Sequence, residues 1–280
     1  MRPLDGIRAK LDRAETHLKV LDHVIGTYFA TNPQRIVGEE ETKGGFWHFA
    51  VYLEVDRFPP DGLWGPIIGD AVHNLRSALD HLAWALALPE AQATTPRRIE
   101  FPIFLDDPTS DPEIRGAFTK KIQALRPESH AIVDGAQPYK TGDRHHPLWL
   151  LQALWNMDKH RALHVAGFAY IFERDLSEEA EYGFTSWRSG LFGERFDARN
   201  RTQLEAGQVQ ASALASGHPL QERMDAYENV TFDVTLGERG GPFSDSDEPY
   251  AGLPIRQVLR RLQRYVTKEV VDPLKPLVPS

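Results

Sequence analysis

The sequence predicts an α+β protein in which a helical bundle carries a β-hairpin insertion and a small antiparallel sheet. Four stretches repeat apolar residues at three- and four-residue steps, the spacing of one buried helix face. They lie at about 5–30, 63–88, 147–165 and 253–271. Two further regions, at about 35–57 and 165–237, contain segments that alternate apolar and polar residues, as half-buried strands do. We therefore expect a single α+β domain over residues 1–280.

The composition excludes several classes of protein. The chain has 280 residues and no cysteine, so disulfides, zinc–thiolate sites and thiol nucleophiles are ruled out. A net charge of −8 argues against a general nucleic-acid coat protein, because non-specific affinity comes from neutralising phosphates. No run approaches the roughly 18 apolar residues of a membrane span, and the charged N-terminus does not resemble a signal peptide. We expect a cytoplasmic protein without a membrane partner.

The first predicted elements are a long helix and a hairpin. The helix at about 5–30 has Asp5 as its N-terminal cap and ends before Asn32-Pro33. Its apolar stripe is Ile7, Leu11, Ala14, Leu18, Leu21, Ile25 and Phe29. The segments 35–40 and 46–57 then form a hairpin whose turn is Lys43-Gly44-Gly45.

The remaining elements follow from the positions of proline and from the apolar spacing. The helix at 63–88 buries Ile68, Val72, Leu75, Leu79, Leu82 and Leu86. The proline-rich region 90–146 reads as loop, with one short helix at about 111–126. The third long helix begins at Pro147, and strands follow near 163–173, 182–188 and 229–237. Residues 193–226 are polar and read as a loop. The last helix carries a basic stripe, interpreted as solvated surface: Arg256, Arg260, Arg264 and Lys268.

The polar face of the second helix has an unusual composition. Between Trp64 and Leu88 there is neither lysine nor glutamate, although both are common on exposed helix faces. The polar residues present are Asp70, His73, Asn74, Arg76, Ser77, Asp80 and His81. Short side chains with directed hydrogen bonds indicate a face that meets another protein surface, a ligand or both.

The sequence HNLRSALDHL at 73–82 contains an arginine, four intervening residues and a histidine. This motif resembles the HEPN superfamily (higher eukaryotes and prokaryotes nucleotide-binding), helical domains that carry an Arg-x4–6-His signature. The resemblance implies a homodimer that cleaves RNA without a metal or other cofactor, in bacterial defence or as a toxin. It also implies that Arg76 stabilises phosphate charge and that His81 is the general acid or base, and we assign Asp80 and His73 to the same catalytic set. HNLRSALDHL together with NMDKHR at 156–161 is similar to a family of bacterial proteins, a likeness that implies no function.

The chemistry of RNA cleavage is consistent with these residue types. Attack by the 2′-hydroxyl needs a group that titrates near neutral pH and a fixed cation that offsets charge on the phosphorane. Histidine and arginine supply both. The alternative is structural: Arg76 pairs with Asp80 four residues later, and His81 satisfies a backbone or carboxylate partner.

The third helix repeats the pattern of compact polar residues within an apolar run. If it packs against the second helix, the two polar stripes meet and form one cluster. The residues that we predict to bind substrate there are Asn74, Asn156, Lys159, His160 and Arg161.

Two other functions fit the same residues. His160 and His164 are four apart and could bind one metal, completed by Asp70 with His73 or Asp80, as in a bundle metallohydrolase. Two neighbouring positive charges and the lack of glutamate on either helix argue against that site. The other alternative is a non-catalytic module that dimerises or binds a nucleotide through its polar face.

Overall fold

A computed structural model describes most of the chain and confirms the α+β class. The described residues are 3–57, 63–143, 145–160, 165–172, 187–191, 201–210, 220, 230–236 and 253–279. They form helices and two three-stranded antiparallel sheets, where the sequence predicts a β-hairpin and one small antiparallel sheet.

Two long antiparallel helices form the centre of the bundle. α1 spans Pro3–Phe29 and α2 spans Trp64–Leu86, and each turns one apolar stripe to the core. α1 ends where Asn32 adopts a left-handed conformation (φ 47°), which asparagine tolerates better than most residues. The Tyr28 hydroxyl then donates to the Arg57 carbonyl at 2.5 Å, fastening the end of α1 to the end of the following hairpin.

The first sheet is built on that hairpin. β1 (Gln34–Lys43) and β2 (Phe46–Val55) pair through Gly44 and Gly45, whose positive φ angles of 60° and 81° suit a tight turn that follows the strand twist. β5 (Arg201–Gln210) pairs with the other edge of β2. Residues 201–210 fall within the predicted loop at 193–226, so that part of the prediction is wrong. RTQLEAGQVQ has too few apolar residues to show alternation, and its strand is defined by the free edge of β2.

The second sheet has β3 (Val165–Phe172) at its centre, flanked by β4 (Trp187–Leu191) and β6 (Val230–Leu236). Both pairings are antiparallel. The strand predicted at 182–188 overlaps β4 at its last two positions, and residues 182–186 lie outside the described residues. The core includes Val234, so this sheet also contributes to the bundle interior.

The proline-rich region holds more helix than the sequence predicted. α3 (Pro89–Thr94), α4 (Pro112–Gln123) and α5 (Pro127–Gly135) all begin at a proline, and only α4 was expected. Proline at the first helical position loses no hydrogen bond and is already set to a helical φ. Short 3₁₀ turns at Pro96–Arg98 and Pro138–Lys140 complete the region.

The remaining helices close the bundle. α6 is Pro147–His160 and packs antiparallel against α2. α7 (Ile255–Tyr265) continues as a π-helical segment, Val266–Val271, and a short α8, Asp272–Leu274. The side chain of Arg260, from the predicted basic stripe, binds both Asp22 carboxylate oxygens at 2.8 and 2.9 Å. None of the helices in the described ranges is long and apolar enough to cross a membrane.

Candidate functional site

Arg76 of the predicted motif lies inside the protein. Only 3% of the residue is exposed, and its Nη2 atom donates to the Phe101 carbonyl at 3.0 Å. The same Nη2 lies 3.0 Å from Asp80 Oδ1 and 3.8 Å from Glu100 Oε2. The guanidinium carbon stands 5.5 Å from the centre of the Trp155 ring on α6. Nε and Nη1 are buried, and neither has a hydrogen-bond partner among the described residues.

Asp80 and Glu100 complete this network around Arg76. Asp80 Oδ1 also accepts the Phe101 amide at 3.0 Å, so one carboxylate holds both the arginine and the backbone of residues 99–104. Burial raises the pKa of Asp80, while the Arg76 charge and the Phe101 N–H oppose that rise. Burial alone would raise the pKa of Glu100, but the hydrogen bond and charge of Lys121 and the Arg76 charge lower it overall.

Gln137 secures the same segment from its other side. It is fully buried, donates to the Pro102 and Val133 carbonyls at 2.9 Å, and accepts the Phe104 amide at 3.0 Å. Sequence reasoning assigned no chemistry to this glutamine. Together with Arg76 and Asp80 it fixes the backbone that covers one flank of α2.

His73 and His81 of the predicted catalytic set lie at the surface instead. Both are exposed, and neither forms a hydrogen bond or ion pair with any part of the chain that the structure describes. A Cβ atom built on Gly6 of α1 would stand 2.8 Å from His81 Nδ1, so the imidazole covers that glycine. Arg76 and His81, five residues apart, are separated by about 140° around the helix. The structure therefore directs Arg76 to the α6 flank and His81 to the α1 flank, and does not bring them together within one protomer.

A second polar group lies where α1, α2 and α6 meet. His17 Nδ1 of α1 is 3.9 Å from Asp70 Oδ2 of α2. Asp158 of α6 covers Gly69, where a Cβ would stand 2.1 Å from its Oδ1. Burial, together with the Asp70 charge, raises the pKa of Asp158, whereas His73 lowers it. At this point the polar residues Asp70 and His73 of α2 lie close enough to Asp158 of α6 to act on its pKa, and the larger predicted cluster stays a prediction.

The predicted substrate-binding residues occupy different environments. Asn74 is 7% exposed and its Nδ2 donates to the Asp70 carbonyl at 2.7 Å, which satisfies its own helix backbone. Asn156 is exposed and accepts from Gln152 at 3.0 Å. Lys159 Nζ lies 4.9 Å from the centre of the Trp155 ring, beside the Arg76 network. The side chain of His160, and all of Arg161 and His164, lie outside the described residues.

The proposed metal ligands are only partly placed. Among the described residues no three histidine, aspartate or glutamate side chains are grouped so that they could hold a metal ion. Asp80 is ten residues from Asp70, about 15 Å along α2, and is bound to Arg76. The pairing of His160 and His164 with Asp70 and His73 stays a prediction.

A third histidine, one residue before α6, has a defined structural role. His146 is 6% exposed; Nδ1 accepts the Leu148 amide at 3.2 Å, which leaves the proton of the neutral ring on Nε2. Nε2 then donates to the Tyr265 hydroxyl at 3.1 Å, and that hydroxyl donates to the Ala136 carbonyl at 3.2 Å. Burial lowers the pKa of His146 to about 4. This is a buried histidine with every ring nitrogen occupied, unlike His73 and His81.

Sequence reasoning missed the contribution of α1 to the site. Gly6 and His17 contact His81 and Asp70 across the groove between α1 and α2. A signal was present, because a glycine and polar residues recur on α1 at four- and three-residue steps from Gly6 to His17. Comparison of the chain with family models, with curated proteins and with solved structures gave no match.

Proposed function

We propose that the chain is a HEPN-like, metal-independent endoribonuclease that works as a homodimer through the exposed face of α2. The observation that carries this proposal is the exposure of His73 and His81 on that face. Their ring nitrogens have no hydrogen bond to any described residue, so they are free to exchange protons with a substrate. Imidazole is the side chain that ordinarily titrates near neutral pH.

Within this proposal His81 is the general acid or base. A base takes the proton from the 2′-hydroxyl as that oxygen attacks phosphorus, and an acid protonates the departing 5′ oxygen, leaving a 2′,3′-cyclic phosphate. His73 is eight residues away, about 12 Å along the helix, so the two imidazoles of one protomer serve different phosphates or subsites. His73 belongs to the polar group of Asp70 and Asp158, and its proximity lowers the pKa of Asp158.

Arg76 is a positioning residue in this scheme. Its contacts with Asp80, Phe101 and Trp155 set the flank of α2 that faces α6. These contacts leave only 3% of the residue exposed, so its guanidinium is not accessible to a phosphate. The sequence motif implies that Arg76 itself stabilises the phosphorane. In this proposal, other cations of the site take that role.

The pattern of exposed residues on α2 supports the dimer. A stripe at steps of three and four residues has exposed Leu63, Pro66, Asp70, His73 and Trp84, with half-buried Ser77 and Asp80 between His73 and Trp84. This is the spacing of a helix that packs on another helix. Leu63 is 60% and Trp84 43% exposed, and an antiparallel copy would place one opposite the other at both ends. Polar residues of the stripe, including His73, would then line the centre of the interface, with His81 beside them on the α1 flank.

The test compares two histidine variants in a cleavage assay. Single-stranded and structured RNA are incubated in EDTA with the wild type, with His81→Ala, and with His23→Ala, an exposed histidine of α1. We expect His81→Ala to lower the cleavage rate about 10²–10⁴-fold, the usual contribution of a general acid or base, and His23→Ala to retain it. Light scattering on the same samples measures whether each protein is a dimer.

The result can contradict the proposal in two ways. Equal cleavage by the wild type and His81→Ala, or no cleavage by either, contradicts the proposal of a nuclease that depends on His81. If the dimer persists in that case, the polar face of α2 is a dimerisation or ligand-binding surface without catalysis. A monomer at all concentrations contradicts the proposed arrangement of the two copies.

A further inference from the structure

The groove between α1 and α2 has a basic edge that the sequence motif does not include. Gly6 contacts His81 and His17 contacts Asp70, so the register of the two antiparallel helices is fixed at both ends. Along α1, the residues between them on the same edge are Lys10 and Arg13, at steps of four, three and four. The register places Lys10 across from Ser77 and Arg13 across from Asn74.

Within the described residues, these two cations have no internal counter-charge. In the described part of the chain neither Lys10 nor Arg13 has a carboxylate within ion-pair distance, and Arg13 is exposed. The basic residues on the opposite edge of α1 differ in this respect. Arg8 lies 3.8 Å from Asp12, and Lys19 lies 3.1 Å from Glu15.

We infer that Lys10 and Arg13 bind the phosphates of the RNA backbone and deliver the scissile phosphodiester to His81. This inference rests on the proposed nuclease function and names the part of the substrate that α1 recognises. Arg76 is occupied by Asp80 and Phe101, so the cation that offsets phosphate charge must come from another element. Lys10 lies one turn of α1 from the glycine that His81 covers. Phosphate contacts position the strand and carry no base specificity, so we expect binding to be tolerant of sequence.

The experiment measures binding separately from cleavage. A fluorescent single-stranded 2′-O-methyl RNA is used, since it keeps the phosphates but lacks the attacking 2′-hydroxyl. Its affinity for Lys10→Ala/Arg13→Ala is compared, over a range of salt concentrations, with that of the wild type. Arg8→Ala/Lys19→Ala is the matched control, because it removes the same charge from the other edge of α1.

We expect the first double variant to lower the slope of log Kobs against log salt by about 1.4, at about 0.7 per lost phosphate contact on a single strand. The control should leave the slope unchanged. Equal slopes for both double variants, in a wild-type protein that cleaves RNA with dependence on His81, overturn the inference and leave the proposed function intact. A wild-type protein that neither binds nor cleaves RNA overturns both.

Discussion

Arg76→Met distinguishes a structural arginine from a catalytic one. Methionine keeps the apolar contact with Trp155 but removes the donor to the Phe101 carbonyl and the charge opposite Asp80. Breaking a buried ion pair costs about 3–5 kcal/mol, and the lower end applies because the Asp80 side chain is 34% exposed. Losing the unpartnered Nε and Nη1 groups returns about 1 kcal/mol. The net loss of about 2–3 kcal/mol should lower Tm by about 3–5 °C, because the unfolding entropy of a 280-residue chain is about 0.6 kcal/mol/K.

The assay is thermal unfolding followed by circular dichroism, read beside cleavage at a temperature where both proteins are folded. If Arg76 is structural, we expect the lowered Tm together with a modest loss of cleavage. The flank of α2 would then be less rigid, but His81 would remain in place. An unchanged Tm with cleavage abolished would refute this reasoning. It would assign Arg76 the phosphate-stabilising role that the sequence motif implies.

Two further predictions concern other residues of the structure. The pKa of His146 falls from 6.5 to about 4 on folding, so its contribution to stability is intact above pH 6.5 and is lost as the pH falls through about 4. His146→Gln should remove up to about 3 kcal/mol of pH dependence from denaturant unfolding over that window, and an unchanged profile would contradict it. Gly6→Ala should displace the His81 ring and lower cleavage about 10–100-fold while the helix gains about 0.5–1 kcal/mol. At Gly26 a Cβ would meet nothing within 4 Å, so Gly26→Ala should raise the free energy of unfolding without changing cleavage. Equal cleavage by both variants would show that Gly6 does not position His81.

The sequence predicted the long helices well because each has one apolar stripe that a single face of the core buries. The spacing of Ile68, Val72 and Leu75 predicts a helix at 63–88, and α2 spans Trp64–Leu86. One prediction that differs from the structure lacked information from a distant part of the chain. β5 is polar and becomes a strand by pairing with the free edge of β2, which no local pattern reports.

The candidate site was harder to predict than the fold. Helical spacing predicts which residues share one face of a helix, but it does not predict which other segment packs on that face. The i,i+4 pair of Arg76 and Asp80 was identified as the structural alternative, and both do pair at 3.0 Å. What the sequence could not supply is the segment that buries them. The Phe101 amide and carbonyl reach Asp80 and Arg76 only because Gln137, far along the chain, holds residues 101–104 against α2.

Packing explains the lack of lysine and glutamate at some positions of α2 and not at others. Near its flanks, short side chains let neighbouring helices approach closely: Asp158 lies over Gly69, and Asn74 folds onto its own backbone. A long charged side chain there would hold α1 or α6 away, so packing explains those positions. Solvent reaches both His73 and His81, so packing alone does not require a short side chain there, although the His81 ring also covers Gly6. The choice of imidazole at those two positions is therefore what a chemical role has to explain.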